Sequence, residues 1–153
     1  MRVGVAIRSG GTNLAVGRPA IVLNPADSDP SATICAAVRA IVEEIDAESV
    51  LVGLPLSLRG AIGPAVDKTL VLARLLSQEI SLPVLLVDER LSSLQAQQAL
   101  RAAGKNTRRS RADIDSASAI IVLQSYLDGA PAISLDDCER QFTRERHRSK
   151  GES

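Results

Sequence analysis

Two short and almost wholly apolar segments in the middle of the chain constrain the fold more than any other feature. They are residues 49–54 (SVLVGL) and residues 82–87 (LPVLLV). Strands that are buried on both faces of a sheet have this continuous apolar pattern, which is typical of parallel sheets. Between them, residues 64–80 repeat apolar side chains at helical spacing. The unit predicts two parallel strands joined by a right-handed helical crossover.

The rest of the chain adds elements on both sides of this unit, so we predict a single α/β domain at residues 1–129. Residues 2–7 and 15–23 have the pattern of two leading strands, which would form an antiparallel hairpin. Residues 31–46, 92–103 and 112–128 have the pattern of helices. Residues 130–153 are polar and charged, and we predict that they form a largely disordered tail.

Composition removes several classes of function. His147 is the only histidine, so a histidine-based triad or zinc site is not expected. Tyr126 and Phe142 are the only aromatic residues, too few for a base-stacking platform. The 18 basic and 18 acidic residues cancel, so nucleic-acid binding would have to depend on local clusters of charge. Carboxylates, hydroxyls and backbone groups remain for chemistry.

The sequence carries no sign of a membrane or secretory destination. No window reaches the roughly 18 apolar residues of a membrane span, and the first residues lack the layout of a signal peptide. Cys35 and Cys138 form neither a metal-ligand spacing nor a disulfide pattern. We therefore expect a cytoplasmic protein.

The most informative polar group follows the second apolar strand, where Asp88, Glu89 and Arg90 stand together. Sites in open α/β sheets gather at the carboxyl ends of the strands. Two acids that leave a buried strand are costly unless they are solvated, paired or bound to metal. Two interpretations stay open: a functional site, or a structural role in which one acid caps the next helix or pairs with Arg90.

Three other groups also allow both a structural and a functional interpretation. Ser57 follows the first apolar strand and, with backbone amides, is placed to meet a phosphate, although a plain strand-to-helix turn explains it equally well. Asp113 has the spacing of a helix-start residue, whereas Asp115 lies on an apolar helix face and has fewer structural explanations. A basic run is either a solvated loop or a phosphate clamp; it contains Lys105, Arg108, Arg109 and Arg111.

Three segments resemble motifs of the YqgF (RuvX-like) family. VLVGLPLSLRG, VDERLSSLQAQQAL and DIDSASAIIVLQSYLD are similar to its GLP, DER-L-T-T and VD-x-x-A-A-x-x-L-Q motifs, in the same order. The resemblance covers about residues 2–128. It implies an RNase H-like fold, with a mixed five-stranded sheet flanked by helices.

The resemblance also implies a metal-dependent nuclease that matures the 5′ end of 16S rRNA, or a Holliday junction resolvase. Carried over by motif, Glu89 and Asp115 would bind Mg²⁺ (or Mn²⁺), and Asp88 would support them as a third catalytic acid. The substrate would be structured RNA or branched DNA, and the protein a monomer or a homodimer. The residues expected to contact nucleic acid are Ser57, Arg90, Ser92, Ser93, Lys105, Arg108, Arg109 and Arg111, with Ser92 and Ser93 in place of the family's threonines.

The chain departs from the family at its first strand, which carries a D-x-G motif with a metal-binding acid. One placement puts residues 2–6 on the second-strand motif, so that the central first strand is absent through an N-terminal truncation and a misassigned start. The rival placement makes residues 2–7 the first strand, with Ala6 near the position of the acid. Under both, we expect these 153 residues to be a poor nuclease compared with an upstream-extended chain, and a non-catalytic nucleic-acid-binding protein is a further alternative.

Overall fold

The computed structural model describes residues 1–56, 63–91 and 116–151. Within them, an antiparallel hairpin, a three-stranded sheet and four helices form a mixed α/β architecture, which confirms the predicted fold class. The strands are β1 Arg2–Arg8, β2 Ala15–Val22, β3 Val50–Leu54, β4 Val84–Asp88 and β5 Ile133–Ser134. The helices are α1 Pro30–Ile45, α2 Pro64–Glu79, α3 Ala117–Leu127 and α4 Leu135–Gly151, with a short 3₁₀ turn at Glu89–Leu91.

The two apolar segments form the centre of the three-stranded sheet. β3 and β4 pair in parallel, from Val50 opposite Val84 to Leu54 opposite Asp88, and β5 pairs with β4 in antiparallel orientation. Leu86 and Val87 of β4 are almost fully buried. Because both faces of β4 are covered, its sequence is apolar at nearly every position, and the predicted parallel pair is confirmed.

The predicted helices before and after β3 are also confirmed. The side chain of Asp29 accepts a hydrogen bond from the Ala32 N–H and caps the first turn of α1, which ends at Asp46 in a left-handed conformation. α2 starts with Pro64 in its first turn, where a missing N–H costs nothing. The predicted helix at residues 92–103 lies outside the described residues, as does the start of the predicted helix at 112–128.

The leading strands form the predicted hairpin, with an irregularity in register between Val3 and Val5. Among the described residues, no strand pairs with both β1 and β3, so the hairpin and the three-stranded sheet remain separate. A cavity of about 660 Å³ lies between them, lined by β1, β3 and the apolar sides of α1 and α3.

The C-terminal segment corrects the prediction of a disordered tail. Residues 135–151 form α4, and Leu135, Cys138 and Phe142 are each at least 94% buried in the main core. These residues have i, i+3, i+7 spacing, which places them on one helix face. The prediction of disorder was wrong because three well-spaced apolar side chains are enough to dock an otherwise polar helix.

Arg74 of α2 strengthens this docking from outside the core. Its guanidinium donates hydrogen bonds to Glu139 at 2.6 and 3.1 Å and to Asp136 at 2.8 Å. None of the helices in the described parts of the chain is long and apolar enough to cross a membrane.

Candidate functional site

The acids singled out in the sequence lie at the carboxyl edge of the three-stranded sheet. Asp88 is the last residue of β4, and it pairs with Leu54, the last residue of β3. Glu89 and Arg90 follow in the 3₁₀ turn. The parallel pairing therefore brings the GLP segment and the Asp88–Arg90 segment side by side, although Leu54 and Asp88 are 34 positions apart in the sequence.

Asp88 forms a close ion pair with Arg90. Its carboxylate accepts hydrogen bonds from Arg90 Nη2 at 2.6 Å, from Arg90 Nε at 3.0 and 3.1 Å, and from the Arg90 backbone N–H at 2.9 Å. The Arg90 guanidinium, more than any other group, holds the pKa of the Asp88 carboxyl below its ordinary value. Arg90 thus offsets the charge of Asp88 locally, and the functional role of this acid stays a prediction.

Glu89 has a different environment, because its side chain lies over Gly53 and borders the central cavity. A Cβ atom built on Gly53 would come within 2.7 Å of Glu89 Oε1 and 3.1 Å of its Cγ. Gly53 has no left-handed φ, so it is the space for Glu89 that requires a glycine here. The glycine of the GLP segment thus makes room for the glutamate of the DER segment, a link that the sequence motifs alone did not reveal.

Three of the predicted site residues, Asp88, Glu89 and Arg90, fall within the described residues, and the fold brings them together. The other predicted site residues lie outside them: Ser57, Ser92, Ser93, Lys105, Arg108, Arg109, Arg111 and Asp115. The pairing of Glu89 with Asp115 therefore stays a prediction. In the described part of the chain, no three His, Cys, Asp or Glu side chains converge as a metal-binding group.

Ser116, which sequence reasoning missed as a functional position, joins α3 to the hairpin. It occupies the N-cap position of α3 but makes no capping hydrogen bond with its side chain. Instead, its Oγ accepts a hydrogen bond from the Val5 N–H at 2.9 Å and donates one to the Arg18 carbonyl at 2.6 Å. The hydroxyl bridges two strands next to the irregularity in their register, and the residue is 1% exposed.

Gln124, two turns further along α3, fixes the beginning of β2 in a similar way. Its Oε1 accepts from the Ala15 N–H at 2.9 Å, and its Nε2 donates to the Asn13 carbonyl at 2.9 Å. Gln124 belongs to the Leu-Gln pair quoted in the third motif. One signal was therefore present in the sequence, since a glutamine within a largely apolar helix needs partners for both ends of its amide.

The first turn of α3 and Glu89 border the same cavity. Ser118 and Ala119 line it from α3, and Gly53 and Glu89 line it from the sheet. Glu89 is exposed, and its carboxylate offers the hard oxygen ligands that Mg²⁺ and similar cations prefer. The arrangement places the Glu89 carboxylate at the cavity, next to the ion pair of Asp88 and Arg90.

Comparison with known proteins gives one family and several relatives. A sequence model of the family described as "RuvX: Holliday junction resolvase" matches residues 1–129. A protein of Chloroflexus aurantiacus (strain J-10-fl) is 39% identical over 127 residues, which cover 83% of this chain and 80% of the relative. One from Streptomyces avermitilis is 38% identical over 112 residues, 71% of this chain and 72% of the relative.

A third relative, from Geobacillus sp. (strain WCH70), is 38% identical over 91 residues, which cover 60% of this chain and 66% of the relative. All three relatives carry the name "Putative pre-16S rRNA nuclease".

Proposed function

We propose, from the premise that this chain belongs to the RuvX family, that it is a nuclease that hydrolyses phosphodiester bonds during processing of the 5′ end of pre-16S rRNA. The observation that carries the proposal is the position of the Glu89 carboxylate, which lies over Gly53 at the sheet's carboxyl edge and lines the cavity. This position joins two of the three motif segments in one place. The reaction would occur in the cytoplasm.

We propose Glu89 and Asp115 as the metal-binding acids. Asp115 directly precedes Ser116 in the sequence, and the first turn of α3 borders the cavity that Glu89 also lines. The donor chemistry suits Mg²⁺ or Mn²⁺, because carboxylate oxygens are their usual ligands. When bound, such a cation lowers the pKa of the attacking water and offsets the charge that develops on the phosphate.

Asp88 has a positioning role in this proposal. Its hydrogen bonds to the Arg90 side chain and backbone fix the turn in which Glu89 lies. Because Asp88 already offsets the charge of Arg90, that arginine adds little net charge beside the site. We propose that the exposed edge of the Arg90 guanidinium contacts a phosphate of the substrate. Further phosphate contacts are proposed for Ser57, Ser92, Ser93 and the basic run at residues 105–111.

The test is cleavage of an RNA that carries the 5′ precursor extension of 16S rRNA, with Mg²⁺ or Mn²⁺ supplied. Glu89→Gln keeps the shape of the side chain and removes its charge, and we expect at least a hundredfold loss of rate, the scale on which catalytic electrostatics act. Glu43→Gln, on the exposed side of α1, is the matched control and should leave the rate unchanged. Undiminished cleavage by Glu89→Gln would reject this role.

A second candidate function is the resolution of four-way DNA junctions, which the description of the matching family favours. The same acids would serve, but two strands must be cut, so a symmetric dimer is expected. Parallel assays on a four-way DNA junction and on the precursor RNA separate the two candidates. If the protein binds the DNA junction and the precursor RNA but cleaves neither, the non-catalytic alternative is favoured.

A further inference from the structure

Helix α4 is divided into an acidic first part and a basic second part. Residues 135–139 hold three acids, Asp136, Asp137 and Glu139. Residues 140–150 hold five basic side chains and one acid, Glu145, which gives a net charge of 5 − 1 = +4. The basic side chains are Arg140, Arg144, Arg146, Arg148 and Lys150, and all five residues are exposed.

Ion pairs fix the direction of α4 along α2. Arg74, in the C-terminal half of α2, bonds Asp136 and Glu139 near the start of α4. Asp67, in the first turn of α2, contacts Arg146 near the end of α4. The two helices therefore run antiparallel, and the basic half of α4 lies beside the beginning of α2.

The beginning of α2 lies at the carboxyl edge of the three-stranded sheet. α2 follows β3 in the chain, and its other end returns to the start of β4, where the Val50 N–H bonds the Pro83 carbonyl. The carboxyl edge is also where Asp88 and Glu89 lie. The basic half of α4 is thus on the same side of the molecule as Glu89, the proposed metal-binding acid that lies within the described residues.

Arg140, Arg144 and Arg148 form a stripe, since residues four apart share a helix face. They line a shallow groove of about 760 Å³ along α4. Arg140 contacts Asp137, whereas neither the Arg144 nor the Arg148 side chain has an ion pair or hydrogen bond with any described residue. The stripe is about 12 Å long, from eight residues at 1.5 Å each. That length matches roughly three to four phosphates on one strand of a duplex.

We propose that this arginine stripe binds the phosphate backbone of the RNA substrate beside the cleavage site. The inference rests on the proposed nuclease function and adds a second contact surface to it. Arg144 and Arg148 supply the charge that the substrate neutralises, and Arg140 extends the line towards the acidic part of the helix. Because the stripe stands on a packed helix, it fixes the direction in which a bound duplex leaves the carboxyl edge.

The experiment measures binding of the full chain to a fluorescein-labelled RNA hairpin with a 5′ single-stranded extension, across KCl concentrations from 0.05 to about 1 M. Arg144→Gln/Arg148→Gln leaves the Arg140–Asp137 and Arg146–Asp67 contacts in place. Losing two phosphate contacts should reduce the slope of log K against log[KCl] by about 1.4–1.8, and weaken binding about 25–60-fold at 0.1 M KCl. Arg144→Lys/Arg148→Lys keeps the charge and should keep most of the affinity.

Arg39→Gln is the control for loss of a surface charge elsewhere, since Arg39 bonds the Glu79 carbonyl at the opposite end of α2. Arg39→Gln should change the slope of log K against log[KCl] by less than half as much as Arg144→Gln/Arg148→Gln does. If the Arg144→Gln/Arg148→Gln variant binds RNA as the wild type does, the proposal that the stripe binds RNA is wrong, and the nuclease proposal still stands. Absence of RNA binding by the wild-type chain would overturn both. The same variants are also tested on anionic lipid vesicles. If Arg144→Gln/Arg148→Gln weakens vesicle binding but not RNA binding, the stripe binds a lipid surface and the inference is wrong.

Discussion

The hydroxyl of Ser116 is a buried connection between the start of α3 and both strands of the N-terminal hairpin, and its removal is the sharpest test of the fold. Ser116→Ala deletes one acceptor and one donor at a site that is 1% exposed. The Val5 N–H and the Arg18 carbonyl then lose their partner between the two strands. The side chain makes no capping bond within α3, so no loss of helix capping is added to the effect.

The expected cost follows from the two backbone groups that are left without partners. An unpaired buried polar group costs about 1–3 kcal/mol. Val5 and Arg18 are only partly buried, so the lower part of this range applies to each. We expect a total loss of about 2–4 kcal/mol, and a fall in Tm on the order of 10 °C for a domain of this size.

The measurement is urea unfolding followed by circular dichroism, with the urea midpoint expected to fall by about 1–2 M. Ser118→Ala is the matched control, because it is the same substitution at an exposed position two residues further along α3. It should stay within about 0.5 kcal/mol of the wild type. If Ser116→Ala unfolds at the same urea concentration as Ser118→Ala, the bridging role of the hydroxyl is refuted.

Three further predictions concern the site and the C-terminal helix. Gly53→Ala should lower cleavage at least tenfold, because its Cβ displaces the Glu89 carboxylate, while the Tm stays within a few degrees; unchanged cleavage would contradict the geometry. Phe142→Ala should cost about 3–5 kcal/mol in urea unfolding, whereas a residue in a disordered tail would cost almost nothing. Asp88→Asn should lower stability by about 0.2–1 kcal/mol at pH 7, since Arg90 depresses the pKa of Asp88 in the folded state. That stabilisation is present above the ordinary carboxyl pKa of about 3.9 and is lost as the pH falls through the depressed value. The urea midpoints of the wild type and of Asp88→Asn should therefore converge in acid.

The helices and strands of the central unit could be predicted because each depends on a local pattern. The apolar run of β4 and the helical spacing of α2 can be read from a dozen neighbouring residues. The same is true of the position of Asp88 and Glu89, since an acid directly after a buried strand lies at the carboxyl edge wherever that strand packs. Residue order alone therefore determined the parallel pair and the location of the candidate site.

The partners of individual side chains could not be predicted, because they depend on contacts between residues that are distant in the chain. Ser116 lies inside the helix predicted at residues 112–128, yet in the structure its hydroxyl bonds β1 and β2. The sequence around Gly53 is that of an ordinary strand-to-helix turn. Only the pairing of β3 with β4 shows that Gly53 makes room for Glu89.

Helix α4 shows the same division between local pattern and tertiary contact. Its composition is that of a disordered segment, and the sequence by itself determined only that residues 130–153 are polar. Tertiary structure decided that Leu135, Cys138 and Phe142 are buried and that the basic half of the helix lies at the carboxyl edge. The physical reason is that burial of three side chains is cooperative with a core that the rest of the chain has already built.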